Sequence, residues 1–62
     1  MLLPDFTEDT ERESVLYFRV GEKNAEALLK EALETYPCAG AAGTAMKNGE
    51  LCVALTVDLQ ES

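Results

Sequence analysis

At 62 residues the chain makes one domain at most, and a domain of that size buries only about 60% of its unfolded surface. Twelve carboxylates against five basic residues give a net charge of −7, which argues against binding nucleic acid through its phosphates and against docking on an anionic membrane. With no histidine and only two cysteines, the chain lacks Ser-His and Cys-His nucleophile pairs, a four-ligand zinc set and the disulfide density of a small secreted domain.

The opening Met1-Leu2-Leu3-Pro4-Asp5 has neither the basic nor the long apolar region of a signal peptide. The longest strongly apolar run, 51–55, is far too short to span a bilayer. A cytoplasmic protein is therefore expected. Residues 1–13 hold Asp5, Glu8, Asp9, Glu11 and Glu13 against Arg12 alone, which places −4 of the −7 in one short segment. Such a segment buries too little apolar surface to offset its ordering entropy, and it reads as a mobile acidic arm. Leu2, Leu3 and Phe6 are the residues that would staple it, either onto the domain or onto something else. The domain proper is expected over 14–62, and removal of the arm is expected to leave its core folded.

Residues 14–20 (SVLYFRV) are β-branched and aromatic and predict a first strand, ended by Gly21. Leu16, Phe18 and Val20 point one way, and Val15, Tyr17 and Arg19 the other. Over 24–36, Ala25, Leu28, Leu29, Ala32, Leu33 and Tyr36 fall on the i, i+3, i+4, i+7 stripe of an amphipathic helix. Asn24 is placed to cap it, with Gly21 as the rival start, and Pro37 stops it.

Cys38 follows the C-terminal end of that helix, where the dipole disfavours a thiolate. Both cysteines read as packing residues rather than nucleophiles. The Gly40-Ala41-Ala42-Gly43 stretch has the G-x-x-G spacing of a backbone-clamping loop, but it leads into a strand and reads as glycine needed for bending and close packing.

Asn48-Gly49 lies between two extended runs and predicts a two-residue hairpin turn, because both positions require φ > 0. The register follows: Lys47 opposite Glu50, Met46 opposite Leu51, Ala45 opposite Cys52, Thr44 opposite Val53 and Ala42 opposite Leu55. The last run, 51–59, alternates strictly, with Leu51, Val53, Leu55, Val57 and Leu59 on one face. As the longest and most apolar strand, it belongs in the middle. In this register Cys38 and Cys52 lie over about 20 Å apart, too far for a disulfide.

The expected fold is α+β: a β-α-β-β two-layer unit, half of a ferredoxin-like arrangement, with a three-stranded sheet of order 2-3-1 and one helix on one face. The helix-side face then takes Gly40, Ala42, Thr44 and Met46 beside the large residues of the last strand. The opposite face takes Val15, Tyr17, Ala39, Ala41, Gly43, Ala45, Cys52, Ala54, Thr56 and Asp58, with no second helix to cover it.

That arrangement points to a non-catalytic protein–protein interaction module with no cofactor and no metal. Its expected working surfaces are the uncovered face (Val15, Tyr17, Ala41, Ala45, Cys52 and Ala54) and the acidic arm (Asp5, Glu8, Asp9, Glu11 and Glu13). Its expected partner is a protein, in the first place a second copy in a homodimer. The alternative is a small acidic inhibitor of the phage or mobile-element kind, a nucleic-acid mimic that occupies the basic groove of a nucleic-acid-binding protein.

Overall fold

The Asn48-Gly49 turn forms with both residues at positive φ, 53° and 78°, and it sets the geometry of the sheet. The computed structural model describes residues 2–58, in the order β1 (Phe6–Asp9), β2 (Glu13–Arg19), α1 (Ala25–Thr35), β3 (Ala39–Lys47) and β4 (Glu50–Asp58). Every neighbouring pair of strands is antiparallel, in spatial order β1-β2-β4-β3. The three strands expected from the sequence keep their relative order, with β4 in the middle. The sheet has four strands, however, and the fourth comes from the segment read as a mobile arm.

β1 forms because its neighbours supply what its four residues lack. Phe6, Thr7, Glu8 and Asp9 pair with Tyr17, Leu16, Val15 and Ser14. The turn into β2 is closed by Thr10, whose N–H donates to the Glu13 carbonyl at 2.8 Å and whose hydroxyl accepts from the Glu13 N–H at 3.1 Å. Asp9 accepts from the Ser14 hydroxyl at 2.6 Å. At the other end β1 stops before it can pair with Arg19, and Asp5 completes the ladder by accepting the Arg19 N–H at 2.8 Å. Leu2 packs on the core, and its carbonyl accepts from the Tyr36 hydroxyl at 3.1 Å.

α1 is capped at Asn24, whose side-chain oxygen accepts from the Glu26 and Ala27 N–H groups at 2.9 and 3.2 Å. Caps of this kind contribute about 1 kcal/mol. The core comprises Phe18, Val20, Leu28, Ala32, Val53 and Leu55, with Leu2, Leu16, Ala25, Leu29, Tyr36 and Ala39 around it. The Phe18 and Tyr36 rings meet at 5.9 Å and a 47° tilt, one of the offset arrangements that aromatic quadrupoles favour.

Two details of the sheet depart from expectation. The hairpin register holds residue for residue from Lys47↔Glu50 to Ala42↔Leu55 and on to Ala41↔Thr56, but Ala39 pairs with Val57. Gly40 is thus the extra residue of a bulge, and a bulge turns the following side chains to the other face. Ala39 consequently joins the core instead of the opposite face. The second departure is at the hairpin end. Met46 and Leu51 lie on the helix side, yet they are 65% and 42% exposed. A helix of 11 residues is about 16 Å long, whereas a strand of 9 residues runs about 30 Å. The helix is too short to cover the hairpin tip. Leu59, expected on the core face, lies outside the described residues.

Candidate interaction surfaces

The face opposite α1 is not bare. Phe6 of β1 stands opposite Tyr17 and extends that face by one strand. Two cations then lie over it. Lys47, on the β3 edge, sends its ammonium 4.9 Å above the Tyr17 ring and on to Glu8 of β1, where Nζ and Oε2 are 2.8 Å apart. This ion pair crosses all four strands, a reach that requires a twisted sheet to curl toward the open face. Arg19 lies 5.0 Å over the Phe6 ring and 3.3 Å from the Glu50 carboxylate.

Long basic side chains cover apolar surface with their stems while their heads remain in water. Of the residues expected to form an uncovered patch, Val15, Tyr17, Ala45 and Ala54 are therefore half-buried and Cys52 is fully buried. Only Ala41 is exposed. The Cys52 thiol donates to the Glu50 carbonyl at 3.7 Å, and Cys38 is free on the surface.

The hydrogen bond to Glu8 is the main cause holding the Lys47 ammonium above the ordinary lysine pKa. A cation with a raised folded pKa stabilises the fold fully below its unfolded value, about 10.4, and loses that contribution as pH rises through the folded value. The melting-temperature advantage of the wild type over Lys47→Met should stay level through neutral pH and shrink above about pH 10.4. Paired thermal melts across the alkaline range test this, and an advantage that persists unchanged there would mean that the ammonium does not carry it.

The five arm carboxylates do not act as one group. Asp5 serves the Arg19 N–H, Glu8 serves Lys47 and Asp9 serves Ser14. Glu11 and Glu13 are left facing solvent beside Arg12. A shallow depression next to them, lined by Arg12, Glu13, Gly40, Ala41, Thr56 and Asp58, mixes both signs of charge. Among the described residues no group of three or more His, Cys, Asp or Glu is placed to hold a metal ion. Nor is any described helix long and apolar enough to cross a membrane.

The two sheet edges differ sharply. β1 is four residues long, carries Glu8 and Asp9, and is flanked by Asp5 and Glu11. Short acidic edges of this kind discourage further strand addition. β3 is nine residues long, and Lys47 at its end is its one charge. Val20 donates to the Leu51 carbonyl at 3.1 Å, so the odd-numbered residues of β4 turn their backbone groups toward β2 and the even-numbered ones toward β3. In the observed register this leaves the N–H and C=O groups of Ala42, Thr44 and Met46 pointing out of the sheet. Those three residues are all exposed. The sequence does carry a sign of this edge: nine consecutive strand residues without a carboxylate in a chain of net charge −7.

Comparison with protein-family models, curated proteins and solved structures finds no match.

Proposed function

We propose that the chain is a non-catalytic protein–protein interaction module whose working surface is the open edge of β3. The observation that carries this reading is the contrast between the two edges. One is short and guarded by carboxylates, and the other is long, small-sided and free of carboxylates, with its bulge and its lysine confined to its two ends. An exposed edge of this kind takes up an extended strand through main-chain hydrogen bonds. Here the row Ala42, Thr44 and Met46 supplies those bonds, and the exposed Met46 and Leu51 add apolar contact beside it. The acidic-inhibitor reading ranks second, because three of the five arm carboxylates are spent on internal hydrogen bonds instead of a phosphate-like array.

The test is capture of partners by the wild type and by Thr44→Pro, at low and high salt. Edge docking predicts partners that survive salt and are lost with the proline. Partners held by acid alone would be released by salt and retained by the proline variant, and that pattern would replace this reading with the second.

A further inference from the structure

We infer that the strand taken up by β3 is β3 of a second copy, paired antiparallel about a two-fold axis through Gly43; this rests on the edge-docking reading and names its partner. Charge selects the partner and the geometry. Each copy carries −7, so most ways of bringing two copies together set carboxylate against carboxylate. β3 is the edge with no carboxylate, and it lies on the far side of the sheet from the acidic β1. Joining two β3 strands makes one eight-stranded sheet with an acidic β1 at each outer rim. At about 4.8 Å per strand the rims are about 34 Å apart, well beyond a Debye length of about 8 Å in physiological salt.

The sequence of β3 also fits itself. With the axis at Gly43, Ala42 of each copy stands opposite Thr44 of the partner subunit, and both residues have outward-turned backbone groups, so each pair exchanges two hydrogen bonds. Ala41 stands opposite Ala45 of the partner subunit, and the two glycines meet at the centre. No bulky side chain opposes another. The two Lys47 residues fall at opposite ends of the junction, about 27 Å apart along the strand direction. A homodimer requires this kind of self-complementary patch. Two nine-residue edges form a small interface, so the dimer is concentration-dependent.

Sedimentation and light scattering at sub-millimolar concentration should give a dimer for the wild type. Thr44→Pro removes one of the two central donors from each copy. Its N–H faces solvent in the single chain, a position where an edge strand accepts proline, so the expected product is a folded monomer with unchanged far-UV circular dichroism. If the proline variant does not fold, Thr44→Lys takes its place, with like charges near the axis and the same expected monomer.

Register is tested by cross-linking in a Cys38→Ser, Cys52→Ala background, because Cys52 stands opposite Ala45 within the chain and would capture a cysteine placed there. A side chain at Gly43 would meet nothing within 4 Å, and the self-opposed pair has the close Cα spacing that a disulfide accepts. Gly43→Cys should therefore oxidise to a linked dimer, whereas Ala45→Cys, opposite Ala41, should not. A wild type that stays monomeric overturns the self-pairing. If such a monomer still captures a partner through Thr44, the edge-docking reading stands without it. A dimer that survives the Thr44 variants, or that links through position 45 and not 43, overturns the proposed junction.

Discussion

A chain beginning at Thr10 should melt at least about 12 °C below the full-length protein. A 62-residue domain has a total stability of about 3–9 kcal/mol. The truncation removes Leu2 and Phe6, both partly buried, at about 1 kcal/mol each. It also removes the Asp5 carboxylate from the Arg19 N–H, another 1 kcal/mol or so. Each kcal/mol shifts the midpoint of a domain this size by about 4–8 °C. Further losses follow from the β1 ladder and from the Glu8 partner of Lys47. Calorimetry or a thermal melt decides the matter. A truncated chain that melts within a few degrees of the full protein would mean that β1 adds nothing to the folded state.

The second large effect is a contrast within one strand. Leu55 and Leu51 share β4 and the helix-side face, yet Leu55 is fully buried and Leu51 is 42% exposed. Leu55→Ala opens a cavity between the sheet and the helix and should cost about 2–5 kcal/mol, a large share of a total of about 3–9 kcal/mol. Leu51→Ala should cost about 1 kcal/mol, since only part of its surface is removed from water. Denaturant titration of the two variants measures both. Equal losses would mean that something covers the hairpin tip as tightly as α1 covers the core. If it does, the same measurement on Thr44→Pro distinguishes a second copy from a contact within the chain.

Much of the fold is legible in the sequence, for local reasons. The helix is written in the spacing of Ala25, Leu28, Leu29 and Ala32 and in its Asn24 cap. The hairpin register follows from Asn48-Gly49, because a two-residue loop leaves the flanking strands one way to pair. What is not legible depends on partners distant in sequence. Phe6-Thr7-Glu8-Asp9 has the composition of a solvated tail, and its strand exists because Tyr17 and Val15 lie alongside it. The Thr10 turn is its one local signal. The Gly40 bulge is similarly hidden, since Gly40 and Gly43 look alike until Val57 is seen opposite Ala39.

The interaction surface divides along the same line. The alternation of β2 and β4 identifies the residues that share the open face, but not the fact that Lys47 and Arg19 reach across to cover them. That depends on the curl of the sheet, a property of four strands together.

β4, the strand with which both β2 and β3 pair, is the last element in chain order among the described residues, and this shapes how the protein is made. β2 pairs with β4 across the whole of α1 and β3, and no stretch that ends before residue 50 contains the strand that β2 and β3 share. On the ribosome β1 and β2 emerge first, but an isolated two-stranded hairpin is marginal in water. The β3–β4 hairpin closes locally, within microseconds of being available. The rest of the sheet must wait for it, because non-local pairing is the slow part of folding a small β-rich domain. During that wait Phe18 and Val20 are exposed, and like-charge repulsion among the carboxylates of residues 5–13 opposes the association of two such segments. Their charge thus acts before the fold exists, and their hydrogen bonds act after it.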